Sequence, residues 1–409
     1  MTAPPAELQL ILSCVQRAAN PGGAAPPGSP ERTAAVWRRA VPLAGRAGLA
    51  PIAFAGGGAW LDEAPADVAD ALRWHHVASG LRHERSVAPT LRRALGALAS
   101  AGLVPIVLKG AALAYTAYPE PAQRTLSDVD LLLSDDQLPR ASEVLREAGF
   151  WTRDGDSRPD HHLQPCYLGD GRVGVELHGQ LLPDHSPYRL PLNALRARSR
   201  AVTIADAPAR VLAPADALLL TCVHLAYAHR YRWFALRTLA DVLVLAAGRA
   251  SELDWDLLTR TTEAAGAGGA VYWPLRLARE WVGAPVPGTV LAALEPSRPL
   301  RNALAPIVAA RTCSTGPPTD LGGDGVEQLL LDLSLREGCS ASERLRALGR
   351  GLFPPSSHLG HLPAEVAGSR LRYAAYLGRP SRAARGLQAV GRLVALNLAQ
   401  PTTSRRTPT

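Results

Sequence analysis

Lysine is almost missing from this chain of 409 residues. Of its 44 basic side chains, 43 are arginine and one is lysine, Lys109. Such a balance fits a GC-rich coding sequence, which replaces lysine by arginine wherever a charge on a solvated stem suffices. A lysine that survives this pressure marks a position to watch. Aromatic residues make up only 5% and do not interleave with a basic run, so no nucleic-acid stacking platform is expected. The five cysteines are odd in number, far apart and form no C-x-x-C pair, which argues against a disulfide framework and a cysteine zinc site. No apolar run reaches the roughly 18 residues of a membrane span. Met1–Leu10 lacks the basic and apolar regions of a signal peptide, so a reducing cytoplasm fits. The net charge of +8 comes without any block of like charges. It suits an anionic substrate such as a nucleotide, and equally an ordinary solvated surface.

What is present describes a globular chain: 47% apolar and 20% charged residues. The length allows two or three domains of about 150 residues. Residues 6–19 carry helical apolar spacing, and 20–31 (NPGGAAPPGSPE) read as a linker or loop. Residues 33–101 read as helices with a break near Gly56–Gly58, a bend at Pro89 and a stop at Gly102. The texture then changes. LVPIVL (103–108) and DVDLLL (128–133) read as strands, with a short helix over 111–118 between them. Ser134 stands as an N-cap before Asp135 and Asp136. Residues 163–178 read as two strands joined at Gly169-Asp170-Gly171. From 212 the chain is helical again, with Pro214 in the first turn and Asp254 capping a later helix. Helices are also expected over 270–282, 325–349 and part of 366–398. The expected organisation is an N-terminal helical region (1–85), an α/β core (86–185), a C-terminal helical domain (210–350), a basic helical extension (351–400) and a disordered tail (401–409).

The chemistry concentrates at Ser127-Asp128-Val129-Asp130. Side chains alternate along a strand, so Asp128 and Asp130 share a face, where a cation such as Mg²⁺ would relieve their repulsion. On the later strand, Val173, Val175 and Leu177 alternate with Gly174, Glu176 and His178, which puts Glu176 opposite the apolar set. If the two strands pair, Glu176 becomes a third carboxylate, and three carboxylates suit a two-metal site for phosphoryl or nucleotidyl transfer. Lys109 stands at a strand-to-helix junction, where Gly110 permits close backbone approach and the helix N-terminus favours an anion. Lys109 is thus a candidate phosphate ligand. Arg124 is a second candidate, or a solvent-facing loop arginine. His178 lies on the Glu176 face and lines the pocket or packs. His224 and His229 are five apart, a poor match to helical ligand spacing, and read as one packed and one surface histidine. Asp241 is placed to orient His224, or serves as a surface or capping group. His161-His162 lie in a loop beside Asp160 without a zinc motif. Trp233, Trp255, Trp273 and Trp281 read as packing, and the basic stretch 370–396 as a solvated helical face or a contact for a peptide or lipid headgroup.

VLKGAALAYTAYPEPAQRTLSDVDLLL (107–133) resembles the core motif of the uncharacterised bacterial nucleotidyltransferase family in the polymerase-β-like superfamily. GVELHGQL (174–181), LAPADALLLTCVHLAYAH (212–229), LADVLVL (239–245) and ELDWDLL (252–258) resemble its later landmarks in order. The resemblance implies an α+β, mainly α fold: a minimal nucleotidyltransferase core with a short mixed sheet, flanked by helical regions. It implies Asp128 and Asp130 as metal ligands, Glu176 as the third carboxylate, and Lys109, Gly110, Arg124 and Ser127 around the nucleotide. Lys109-Gly110 departs from the glycine-serine pair of many superfamily members. The implied cofactor is Mg²⁺ in a two-metal arrangement. The implied substrates are an NTP, ATP first among them, and an acceptor that the sequence does not name. Relatives accompany peptide-tailoring gene sets, lasso peptides included. Two alternatives stay open: a fold retained as a binding module without catalysis, and a metal-dependent glycosyltransferase that uses D-x-D.

Overall fold

The computed structural model describes residues 3–21, 30–152, 161–183, 186–232, 235–248 and 251–314. The expected helices after 315, the basic stretch 370–396, the tail from 401, Trp233 and Asp160 lie outside the described residues. The fold is α+β and mainly helical, with one mixed sheet among the described residues. No described helix is long and apolar enough to cross a membrane.

The sheet has seven strands: β1 (Ile106–Val107), β2 (Asp128–Leu132), β3 (Trp151–Thr152), β4 (Cys166–Tyr167), β5 (Gly174–His178), β6 (Arg200–Ile204) and β7 (Ala207–Val211). Their order is β3-β4-β5-β2-β1-β7-β6. β2 runs parallel to β5 and antiparallel to β1, while β7 runs parallel to β1. The apolar faces of β2 and β5 are buried with Leu91, Leu95 and Leu98 of the helix Ala88–Ser100 and Val144 and Leu145 of the helix Leu138–Glu147. The sheet therefore continues past residue 185, the expected end of the α/β core. β6 and β7 meet across a two-residue turn in which Ala205 and Asp206 both have positive φ, the geometry of a tight hairpin.

The expected N-terminal and C-terminal helical regions share one apolar core. Leu10, Ile11 and Trp37 bury against the same cluster as Leu219, Leu243, Trp273 and Val308. At Gly56 even a β-carbon would collide with the Cys14 carbonyl oxygen, so the helices Ala6–Ala19 and Ala50–Gly57 touch backbone to backbone. The long helix expected to bend at Pro89 is Ala66–Arg82, a wide π-helical turn over His83–Val87, and Ala88–Ser100. The helix expected to start after Ser134 begins instead at Leu138. The Gln137 side chain turns back to accept from the Ser134 N–H at 3.3 Å, which closes the entry turn without a serine cap. Asp254 does cap the helix Trp255–Ala264, accepting from Leu257 N–H at 2.8 Å.

Candidate active site

The site lies on the polar face of β2 and β5. Parallel pairing sets Asp128 beside Gly174, Asp130 beside Glu176 and Leu132 beside His178. Because both strands have a period of two, Asp128, Asp130, Glu176 and His178 all point to this face. Val129, Leu131, Val175 and Leu177 point the other way, into the core. The face opens into a cavity of about 240 Å³, whose wall also includes Lys109, His224, His229 and Arg237.

Asp130 is the electrostatic centre. Its carboxylate is buried, and its Oδ1 lies 2.8 Å from both Lys109 Nζ and His178 Nε2. His178 Nε2 is also 3.5 Å from Glu176 Oε2. Burial alone would raise the Asp130 pKa, but Lys109 and His178 overcome it and hold the group well below the usual carboxylate range. The same contacts raise Lys109 and His178 against the opposite pull of burial. Asp128 sits at the exposed rim and takes a 3.0 Å hydrogen bond from the Ser127 hydroxyl. Its pKa is raised, first by desolvation and then by Asp130 and Glu176.

Lys109 reaches Asp130 from an unusual backbone position. It opens the helix Lys109–Thr116 with φ at +48°, a region that costs a residue with a β-carbon of the order of 1 kcal/mol or more. The backbone of Leu108 donates to the Asp130 carbonyl at 2.9 Å, which ties this junction to β2. Gly110 is small for a reason inside the protein. A β-carbon there would come within 2.8 Å of Leu126 and 3.2 Å of the Arg124 guanidinium.

Arg124 faces Asp241. Its Nε and Nη2 donate to the two Asp241 carboxylate oxygens at 2.7 and 2.9 Å, and its Nη1 donates to the Thr125 carbonyl at 2.7 Å. The Tyr118 hydroxyl donates to the same carboxylate at 2.7 Å. Both charged partners are buried, and Asp241 raises the Arg124 pKa against the opposing effect of burial. The structure thus ties Arg124 into a pair that fastens the loop before β2 to the helix Ala235–Gly248. It gives Asp241 to Arg124 and Tyr118, not to His224.

The histidines differ most from expectation. The helix Pro214–His224 runs on into a π-helical turn over Leu225–His229. Such a turn bonds residue i to i+5 and has more residues per turn than the 3.6 of an α-helix, which brings positions five apart, His224 and His229, toward one face. Their rings meet edge to face at 4.6 Å, and both line the cavity. Burial lowers both pKa values. Lys109 and His229 add to the effect on His224, and Arg237 and Lys109 bring His229 to about 4. Both shifts favour the neutral imidazole. From the other side, His161 and His162 pack on the His178 ring at 5.3 and 5.0 Å. Arg237 also lines the cavity, and its pKa is lowered to about 9 by burial and the Arg124 charge. No local motif pointed to it.

The donors fit a divalent cation. One ligand atom from each of Asp130, Glu176 and His178 falls within 4.8 Å of the others. The Lys109 ammonium and His178 Nε2 both converge on Asp130 Oδ1, so the site draws electropositive groups to this carboxylate. The sequence brought Asp128, Asp130 and Glu176 together as the ligand set. The tight cluster exchanges Asp128 for His178 and leaves Asp128 on the rim of the same cavity.

One family model matches residues 33–283, and its description is an uncharacterised nucleotidyltransferase. The match covers more than half of the chain and contains the whole sheet and the cavity. No curated protein and no solved structure matches.

Proposed function

We propose a function from one premise: the chain belongs to the uncharacterised nucleotidyltransferase family. In this reading it transfers a nucleoside monophosphate, AMP first among the candidates, from an NTP to an acceptor. The acceptor oxygen attacks the α-phosphorus, the bond from that phosphorus to the β-bridging oxygen breaks, and pyrophosphate leaves. The acceptor proton passes to solvent or a basic side chain. The observation that carries the reading is the register Asp130 beside Glu176, with Asp128 on the same face, over a cavity that holds Lys109.

Asp130 and Glu176, with Asp128 at the rim of the same face, would hold a divalent ion, Mg²⁺ in the simplest case. Such an ion supplies charge that offsets the triphosphate and lowers the pKa of a bound oxygen. Lys109 is a compact charge at a helix start and serves as a phosphate contact. Arg237 joins it in making the wall positive toward a polyanion. His224 and His229, held neutral, accept hydrogen bonds without repelling Lys109. A peptide acceptor, lasso peptides included, is compatible with this scheme and is suggested only by the company that similar sequences keep.

The test is transfer of α-labelled NTP to candidate acceptors by wild type and Asp128→Asn. Asp128 is exposed, so its loss leaves the buried network intact. Transfer by wild type that falls at least about 100-fold in the variant supports the reading. Equal transfer by both would sink it. A binding module without catalysis draws on Lys109, whose ammonium already rests on Asp130. NTP binding with no transfer to any acceptor would favour it. The glycosyltransferase alternative needs a nucleotide-binding sheet before D-x-D, and only β1 precedes it among the described residues.

A further inference from the structure

We infer that Asp130, Glu176 and His178 form a mixed nitrogen–oxygen site, with His178 Nε2 as a metal ligand, that selects a first-row divalent ion such as Mn²⁺, Co²⁺ or Zn²⁺ over Mg²⁺. The inference rests on the reading of this cavity as a metal-assisted transferase site, and it adds the identity of one ligand and the class of ion.

Register places His178 there. It follows Glu176 by two on β5, so it shares the face of Asp130 rather than the core. Its Nε2 lies 2.8 Å from one carboxylate and 3.5 Å from the other. The imidazole is only 1% exposed, and neither ring nitrogen makes a well-aligned hydrogen bond among the described residues, Nε2 included despite its closeness to the carboxylates. A histidine used only for packing would not spend its buried nitrogen against two carboxylates. The ring is also held in place. His161 and His162 pack on it at 5.3 and 5.0 Å, and the backbone of His162 bridges to that of His178. A ring fixed by neighbours presents Nε2 to the carboxylates at little further entropic cost.

The donor set then chooses among ions. Mg²⁺ takes hard oxygen ligands and keeps its waters, so an imidazole offers it little. First-row divalent ions accept imidazole nitrogen together with carboxylate oxygen, Zn²⁺ and Co²⁺ more strongly than Mn²⁺ along the Irving–Williams order. An all-carboxylate triad would have no such preference from nitrogen. Here the third atom of the tight cluster is a nitrogen, and Asp128, the carboxylate expected in its place, stands outside it.

The experiment uses the full chain, stripped by chelator and loaded with Mn²⁺ at less than one equivalent. Pulsed electron paramagnetic resonance reads ¹⁴N modulation of the bound ion, and titration reads affinity. The expected result is nitrogen modulation in wild type that persists in His162→Gln and His224→Gln and vanishes in His178→Gln. In His178→Gln, Mn²⁺ affinity should fall about ten-fold or more while Mg²⁺ affinity changes little. If His178→Gln does not fold, wild type with the other two variants still decides, because an all-oxygen site gives no nitrogen modulation in any of them. Bound Mn²⁺ without nitrogen modulation, modulation that survives in His178→Gln, or no Mn²⁺ binding overturns the inference. NTP binding is measured on the same samples. Nitrogen modulation without NTP binding would keep the metal site and remove the transferase reading. NTP binding without nitrogen modulation would do the reverse.

Discussion

Arg124 separates two accounts of the loop before β2. Sequence spacing offers it to a phosphate, whereas the structure spends its guanidinium on Asp241 and the Thr125 carbonyl. The perturbation is Arg124→Gln, alone and with Asp241→Asn. The pair is buried and doubly hydrogen-bonded, with side-chain exposures of 9% and 5%. Removing one partner of such a pair leaves the other charge buried and costs about 3–5 kcal/mol. Tyr118 still donates to Asp241 in Arg124→Gln, which favours the lower end of that range. Asp241→Asn should cost a similar amount. The double variant should lose less than the sum of the two by about 2–3 kcal/mol, because neither charge is then stranded. Urea unfolding of the full chain reads these values, and NTP binding is measured at a temperature where each variant is folded. Additive losses, or Arg124→Gln with wild-type stability and no NTP binding, would refute the structural role and restore the phosphate contact.

Two further predictions follow from the same wall of the cavity. Lys109→Arg is conservative in most of this arginine-rich chain, but here the longer, planar guanidinium must fit against Asp130 from a backbone at φ +48°. NTP affinity measured by calorimetry should fall about ten-fold or more, the effect of losing a charge-assisted contact of roughly 1.5–3 kcal/mol, and unchanged affinity would make the lone lysine an accident. His229 sets a pH dependence. Its folded pKa of about 4 lies below the ordinary 6.5, so on acidification the unfolded chain takes up the proton first. Its stabilising effect is full above about 6.5 and is lost as pH falls toward 4, at most roughly 3 kcal/mol. Unfolding of wild type and His229→Gln across this range should show the stability gap between them narrowing toward acid, and a constant gap would contradict the assigned burial.

The shared face of the candidate site residues was legible where one local rule decides it. The alternation of Asp128, Asp130, Glu176 and His178 against buried valines and leucines is a period-two pattern, and the structure adds only that β2 and β5 pair side by side. The fold class was legible for the same reason, from short β-branched runs set between long helical ones. Other parts were hidden by geometry that leaves no local trace. β6 and β7 turn at Ala205-Asp206, where both residues hold positive φ without the Asn-Gly or Asp-Gly that usually marks such a turn. The π-helical turn after His224 brings together two histidines that a 3.6-residue period sends apart. Arg124 finds its partner 117 residues away, so no spacing rule within the motif could reveal it. The shared core of the N- and C-terminal helices crosses the whole sheet domain in sequence, which is why composition divided them.

The central claim is that a divalent ion held on the β2–β5 face couples this protein to a nucleotide. Titration of a non-hydrolysable ATP analogue into the full chain, with Mg²⁺ or Mn²⁺ and after chelation, measures that coupling directly. Wild type should bind the analogue with metal and lose most of that affinity without it, while Asp128→Asn should bind weakly in both conditions. Binding that ignores both the metal and Asp128, or no binding of any NTP analogue with either ion, would contradict the account.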